Sequence, residues 1–116
     1  MIIKPNQRIH QPRENIRGGN GIVVFENFLK PDKFPAHFRV FGEMVIEPGC
    51  SIGKHTHENE CEIYYMTEGE AVYNDNGEER YISAGDMTVC FDGEFHAIEN
   101  RSNKTVRALA VVITNN

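Results

Sequence analysis

The chain has 116 residues, of which 40% are hydrophobic and 25% are charged, a composition typical of one soluble domain that needs no disulfide staples. Its formal net charge of -5 disfavours a nucleic-acid partner, because such a protein needs a basic face against the phosphates. The start, "MIIKPNQRIH", lacks the apolar run of a signal peptide, and no stretch reaches transmembrane length. We therefore expect a cytoplasmic protein with no membrane partner.

The cysteines agree with that compartment. Cys50, Cys61 and Cys90 form an odd, sparse set without CxxC spacing, which is neither a disulfide framework nor a zinc knuckle. We expect three reduced, mostly buried thiols.

The first 35 residues differ from the rest of the chain. The stretch "QPRENIRGGNG" at 11–21 is polar and contains Pro and Gly, which predicts an arm or a long loop. The next stretch, "IVVFENF" at 22–28, has the composition of a strand. The glycine-rich run at 18–21 has neither a following Lys-Ser/Thr nor a helix, so we interpret it as a flexible turn and not as a phosphate loop.

Basic residues are concentrated at this end of the chain. Lys4, Arg8, Arg13 and Arg17 fall within the first 17 residues, where Glu14 is the single acid. They form either a positive rim beside an anionic ligand or ordinary solvated surface charge, and the second interpretation is the simpler one.

Short strand patterns separated by turn residues fill the remaining chain. Residues 38–47 place Val40, Met44 and Ile46 on one face and Arg39, Glu43 and Glu47 on the other. Asp-Asn-Gly at 75–77 between two strand-like runs is a hairpin signal. The other predicted strands are 61–67, 70–74, 78–82, 87–91, 96–100 and 106–113. No helical stripe is present, so we predict an all-β sandwich or closed barrel without a helix longer than about two turns.

The stretch "HTHENECE" at 55–62 contains the residues most able to carry chemistry. His55 and His57 leave the same face of an extended chain, and Glu62 opens the next predicted strand. Two imidazoles and a carboxylate suit a divalent metal, although the stretch taken alone also fits a solvated acidic loop. His10 and His37 are isolated in Pro-flanked segments and are expected to be solvated.

The spacing around this stretch follows two fixed patterns. The first runs from Gly49 through five residues to His55-Thr56-His57, then four residues to Glu62 and six to Gly69. The second runs from Gly85 through five residues to Phe91-Asp92-Gly93, then two residues to His96 and three to Asn100. Together they resemble the two motifs of the cupin superfamily over residues 49–100, with Phe91 in the place of the usual proline.

This resemblance implies a double-stranded β-helix, the jelly-roll barrel of six to ten strands. Residues 1–116 would form a single cupin domain, with an N-terminal arm and first strand over 1–35 and the barrel with both motifs over 36–116. It also implies one divalent transition metal (Fe, Mn, Ni, Zn or Cu) held by His55, His57, Glu62 and His96. Three imidazoles and one carboxylate leave open positions for water, substrate or O₂.

Strand parity extends the candidate site. If Glu62 and His96 point inward, Tyr64, Met66 and Ile98 do so too. The Tyr64 hydroxyl would then face the cavity or bond a core backbone group, and Phe91 would either line the pocket mouth or serve as packing. Tyr64, Met66 and Phe91 are the candidate pocket residues. Asn100 and the motif glycines are expected to be turn and packing devices.

Three glutamates compete for the role of metal ligand. We choose Glu62, because it leads into the apolar "IYYM" run of a rigid strand and occupies the motif position. Asn59 is a turn former, so Glu58 and Glu60 are expected near a loop tip. Glu60 is a candidate outer partner that bonds the free N–H of a histidine.

A divalent ion with one carboxylate ligand leaves about one net positive charge, which favours an anionic oxygen ligand. We therefore expect a metal-dependent enzyme of dioxygenase, decarboxylase, lyase or isomerase type, acting on an anionic or oxygen-rich small molecule. The alternative is a non-catalytic ligand-binding protein, a sensor or accessory subunit. We also expect a homodimer, because open sheet edges must be covered and the run at 22–28 could join a partner's sheet.

Overall fold

The computed structural model describes all 116 residues, with ten β-strands and three 3-10 helices of three residues each. The strands are Ile9–Glu14 (β1), Ile22–Asn27 (β2), Phe38–Ile46 (β3), Ser51–Thr56 (β4), Glu60–Glu68 (β5), Glu70–Asp75 (β6), Glu78–Ser83 (β7), Met87–Cys90 (β8), Phe95–Glu99 (β9) and Val106–Thr114 (β10). The 3-10 helices are Pro5–Gln7, Ile16–Gly18 and Pro31–Lys33. None of them has the length and apolar character that a membrane crossing requires.

The strands form two antiparallel sheets. The first has the order β1-β2-β3-β10-β5-β8 and the second the order β4-β9-β6-β7. Consecutive strands β4 and β5 lie in different sheets, as do β5 and β6, so the chain repeatedly crosses between them. This arrangement is the jelly roll, and the predictions of an all-β barrel and of no long helix are confirmed.

The hairpin between β6 and β7 shows how local sequence sets the fold. Asn76 and Gly77 both have positive φ, at 53° and 100°, as a two-residue type I′ turn requires. The Gly77 N–H donates to the Asn74 side-chain oxygen at 2.7 Å and closes the turn. The hairpin predicted at this Asn-Gly pair is therefore confirmed.

The N-terminal segment departs from the sequence prediction. Residues 11–14, predicted as part of an arm or loop, belong to β1, which pairs with β2 along its whole length. All six residues of β1 are exposed. Because neither face of the strand is buried, its sequence does not need the alternation of apolar and polar residues by which a strand is predicted. Pro12 is tolerated there because β1 is an edge strand. The predicted strand at 22–28 is present as β2, but it lies between β1 and β3 of its own chain.

The space between the sheets is filled by the inward faces of both. The predicted inward residues Tyr64, Met66 and Ile98 are all at most 1% exposed, which confirms the parity argument. The apolar cluster between the sheets consists of Val23, Phe25, Met44, Ile46, Ile52, Tyr64, Met66, Ala71, Tyr73, Ile82, Ile98, Val106, Ala108 and Ala110.

Asn100 closes one end of this core. Its side-chain amide is fully buried and donates to the carbonyl oxygens of Ile46 at 2.8 Å and Lys104 at 2.7 Å. Its side-chain oxygen accepts the backbone N–H of Ser102 at 2.9 Å. The expectation that Asn100 is a turn device is confirmed.

Asn100→Ala is expected to lower the free energy of unfolding by about 2 kcal/mol, because the buried Ile46 carbonyl loses its side-chain donor and the bonds to Lys104 and Ser102 are lost as well. Urea denaturation measures the change. Asn103→Ala, at an exposed position of the same loop, should change stability by less than about 0.5 kcal/mol. Equal effects of the two substitutions would contradict the role assigned to Asn100.

Candidate metal centre

A β-bulge in β4 aims the first candidate ligand into the barrel. Ile52 pairs with Ile98 and His55 with His96, so Gly53 and Lys54 together face the single residue Ala97 of β9. Ile52 and His55 are three positions apart, so regular strand alternation without a bulge would turn them to opposite faces. The bulge lets Ile52, at 4% exposure, and the half-buried His55 both face the interior.

Four side chains from both sheets meet next to this bulge. His55 and His96 come from β4 and β9, His57 follows β4 directly, and Glu62 comes from β5 in the other sheet. We call these four residues the His/Glu cluster. His96 Nε2 lies 3.1 Å from the Nε2 atoms of both other histidines and 3.0 Å from Glu62 Oε1. One ligating atom from each residue lies within 4.8 Å of all the others.

The outer nitrogens of the three histidines are all engaged by the protein. The Nδ1 partners are the Gly53 carbonyl oxygen for His55 at 2.7 Å, a Glu60 carboxylate oxygen for His57 at 2.6 Å, and the Tyr73 hydroxyl for His96 at 2.7 Å. A carbonyl and a carboxylate only accept, so His55 and His57 donate from Nδ1. Nε2 is therefore the ring atom that faces the Glu62 carboxylate, and once it is deprotonated it offers a lone pair there, so the cluster can supply a ligand set that fits a divalent cation.

Burial and hydrogen bonding oppose each other at Glu62. Burial alone would raise the pKa of its carboxyl, but hydrogen bonds with the three histidines outweigh burial and hold that pKa well below the usual range. Burial lowers the pKa of His96. Burial acts in the same direction on His57, but its hydrogen bonds with Glu62 and Glu60 outweigh burial and raise its pKa. Metal coordination would use the anionic carboxylate and would displace any imidazole proton at Nε2.

The three glutamates of "HTHENECE" have three different positions. Glu62 belongs to the cluster, Glu58 is exposed, and Glu60 is the first residue of β5 instead of lying at a loop tip. Asn59 makes the turn with φ of 61°. Because β5 begins at Glu60, this residue shares its inward face with Glu62 and reaches His57 Nδ1. The predicted contact of Glu60 with a histidine is confirmed.

Glu60 also holds an arginine. Arg39 donates to its two carboxylate oxygens from Nε at 2.9 Å and from an Nη at 2.7 Å, a bidentate pair. Hydrogen bonds from Arg39, and further from His57, lower the pKa of the Glu60 carboxyl. One carboxylate thus connects a candidate metal ligand to a guanidinium.

Arg39 is a site residue that strand parity misses. Alternation assigns it to the outer face of β3, with Glu43 and Glu47, yet it lines the cavity beside the cluster. Val40 pairs with Val112 and Phe38 with Ile113, so Arg39 is an extra residue in the register with β10. Such a bulge re-aims its side chain, and nothing in the local sequence reports it.

Two arginines of the N-terminal segment line the same cavity. Arg13 and Arg17, for which solvated surface charge was the simpler interpretation, stand among its lining residues. Arg17 has φ of 55°, a left-handed conformation that is unfavourable for a side-chain-bearing residue and persists where the surroundings impose it. Residues of the glycine-rich run pack onto the β4 bulge: a Cβ on Gly19 would lie 2.2 Å from Ser51 O, and one on Gly53 would lie 2.1 Å from Arg17 O. This run is a close-packed turn that positions Arg17.

The cavity in front of the cluster has a volume of about 70 Å³. Of the three candidate pocket residues, Tyr64 lines it, stacked on the His96 ring at 5.0 Å. Met66 is fully buried in the core, and Phe91 is 61% exposed; neither is among the lining residues. The full lining is Arg13, Ile16, Arg17, Phe25, Arg39, Val40, Ile52, His55, His57, Glu62, Tyr64 and Val112.

Comparison with known proteins agrees with this geometry. The family model described as "Cupin domain" matches residues 42–112. The oxalate-binding protein of Thermotoga maritima is 39% identical over 113 residues, which is 97% of this chain and 93% of that protein. The crystal structure of a predicted oxalate decarboxylase from Thermotoga maritima superimposes with a TM-score of 0.92 at 38% identity, over 98% of this chain and 99% of that one. The tetracenomycin polyketide synthase protein TcmJ of Streptomyces glaucescens is 31% identical over 70% of this chain and 54% of its own length.

Proposed function

The chain belongs to the cupin family, and we propose that it binds one divalent transition metal through the His/Glu cluster and a small carboxylate-bearing anion beside that metal. The observation that carries this proposal is a set of converging metal-ligand atoms facing a cavity lined by three arginines. The ion, one of Fe, Mn, Ni, Zn or Cu, would act as a Lewis acid toward a ligand oxygen.

Charge explains the preference for an anion. Glu62 is the one carboxylate in the cavity lining, whereas Arg13, Arg17 and Arg39 are three cations, of which only Arg39 is already paired, with Glu60. A divalent ion would add further positive charge in a partly apolar enclosure, where electrostatic attraction is less screened than in water. Arginine forks match the geometry of a carboxylate. The name of the oxalate-binding relative makes oxalate the natural first ligand to test.

Binding without turnover is the better-supported form of this function. Apart from the candidate ligands His55, His57 and Glu62 and the arginines, the lining offers Tyr64 as its single titratable side chain. Burial raises the pKa of the Tyr64 hydroxyl, so this group stays protonated at neutral pH and is no general base. Catalysis of the dioxygenase, decarboxylase, lyase or isomerase type is the second candidate, and loss of oxalate over time in the presence of the metal-loaded protein would support it.

Oxalate is expected to bind the metal-loaded protein at least about 100-fold more tightly than its neutral diamide, oxamide, which lacks the charges that the ion and the arginines attract. Isothermal titration calorimetry of protein loaded with manganese(II) measures both. Metal-free protein should bind oxalate far more weakly than loaded protein. Equal affinities for oxalate and oxamide would contradict the electrostatic argument.

Arg13→Gln and Arg17→Gln are each expected to weaken oxalate binding by about tenfold or more, because each removes a charge-assisted contact. Their metal affinity should not fall, since neither forms a hydrogen bond or ion pair with the cluster and each lost cation lowers the repulsion of the metal ion. The matched control is Arg80→Gln, which removes an exposed arginine paired with Glu78. If the control weakens oxalate binding as strongly, the effect is one of net charge and not of the cavity.

The setting we propose is a cytoplasmic homodimer. All three cysteines are free, in keeping with a reducing compartment. The exposed strand β1 ends the six-stranded sheet and supports a modified form of the dimer expectation, in which β1 and not the run at 22–28 offers the open edge. Sedimentation at micromolar concentration that shows only a species of 13.2 kDa would contradict the dimer.

A further inference from the structure

A second cavity adjoins the one in front of the His/Glu cluster. Its volume is about 200 Å³, and we call it the outer cavity and the first one the inner cavity. The two share Arg13, Phe25, Arg39 and Val40 as lining residues. They are therefore neighbouring compartments, and two of the three cavity arginines stand at their boundary.

The chemistry of the outer cavity differs from that of the inner one. Its own apolar residues are Pro31 and Phe34, added to the shared Phe25 and Val40. Its polar residues Gln11 and Asn27 bond each other, with Asn27 Nδ2 donating to Gln11 Oε1 at 3.1 Å. None of its lining residues is acidic. The outer cavity thus offers apolar contact next to two guanidinium groups, of which Arg39 is already paired with Glu60 and Arg13 is not in an ion pair.

Phe34 is the lining residue of the outer cavity that is best placed to contact a ligand. Its ring packs edge-on against Phe41 at 6.2 Å and is only partly buried, outside the apolar core cluster. It follows the 3-10 helix Pro31–Lys33, whose first residue, Pro31, also lines the outer cavity. An aromatic ring on an open wall contributes less to the core than a buried one and remains available to a ligand.

We propose that the outer cavity is a subsite for the apolar part of a carboxylic acid whose carboxylate lies in the inner cavity. This inference rests on the proposed function, because the metal and the arginines fix the head of the ligand. The ligand class is then a substituted acid with an aryl or short branched-alkyl group, larger than a two-carbon acid. In such a molecule the carboxylate lies next to the apolar part. The arginines at the boundary between the two cavities are therefore placed to contact the carboxylate while the apolar part occupies the outer cavity.

Two acids that differ by one phenyl group test the subsite. Glycolate and mandelate have the same 2-hydroxy-acid head, so only mandelate can reach the outer cavity. Calorimetric titration of manganese(II)-loaded wild-type protein should show mandelate binding about tenfold more tightly than glycolate. Phe34→Ala should abolish most of this advantage and leave oxalate affinity unchanged, and Phe34→Leu should give an intermediate ratio.

Phe28→Ala is the matched control, because Phe28 also packs on Phe41, at 4.9 Å, but does not line the outer cavity. It should leave the mandelate-to-glycolate ratio at its wild-type value. Equal affinities of the wild-type protein for both acids, or equal effects of the two alanine substitutions, would overturn the subsite.

Two other outcomes have separate meanings. If Phe34→Ala shifts the dimer dissociation constant in sedimentation and leaves the ratio alone, a second copy covers this wall and the subsite is overturned. If oxalate does not bind the metal-loaded wild-type protein, the proposed function is wrong. If oxalate binds but mandelate and glycolate bind equally well, only the subsite is wrong.

Discussion

Glu62→Gln is expected to lose most of its bound divalent metal on dialysis, while the wild-type protein retains it. The substitution preserves shape but removes the anionic oxygen on which three imidazole nitrogens converge. A buried neutral amide is a weaker ligand for a divalent ion than a carboxylate. Metal content per chain, measured by elemental analysis after dialysis, gives the result.

Glu58→Gln is the control for this substitution. It changes the same functional group within the same eight-residue stretch, but Glu58 is exposed and lies outside the cluster. It should keep its metal. If Glu58→Gln empties the site and Glu62→Gln does not, the assignment of inward side chains in this segment is wrong.

Glu60→Gln is expected to lower metal affinity by roughly 10- to 100-fold, the usual effect of removing a carboxylate that orients a ligating histidine. The carboxylate accepts from His57 Nδ1 and holds Arg39 bidentately, so oxalate affinity of the fully loaded variant should also fall. Competition with a chelating dye measures the first quantity, and calorimetry at saturating metal measures the second.

Glu43→Gln is the matched control, since Glu43 accepts hydrogen bonds from Arg8 and Arg107 and does not line the inner cavity. Both affinities should stay within about twofold of wild type. A Glu60→Gln protein with unchanged metal affinity would show that the contact with His57 does not tune the site.

The sequence is informative where function depends on fixed spacing along the chain. The spacing of the two motifs predicts that His55, His57, Glu62 and His96 act together, and the four side chains do meet in the fold. The contact of Glu60 with a histidine is also predictable, because only a short turn at Asn59 separates it from His57.

Prediction fails where the register of a strand changes. Arg39 has the parity of an outward residue and reaches the cavity through a bulge opposite β10, which depends on a pairing partner more than 70 residues away. The side chains of Arg13 and Arg17 reach the cavity through the pairing of β1 with β2 and the packing of the glycine-rich run on β4. Phe91, a candidate pocket residue by its motif position, is largely exposed. These outcomes depend on long-range contacts that local patterns do not encode.

Elemental analysis of protein purified without added metal or chelator tests the central claim most directly. The proposal predicts about one divalent transition metal ion per wild-type chain, as expected of a single site with four protein ligands. A double variant, His55→Ala with His57→Ala, should contain almost none. Wild-type protein that stays metal-free even after incubation with Fe, Mn, Ni, Zn and Cu ions, or a double variant with the same metal content as wild type, would contradict a metal site at the His/Glu cluster.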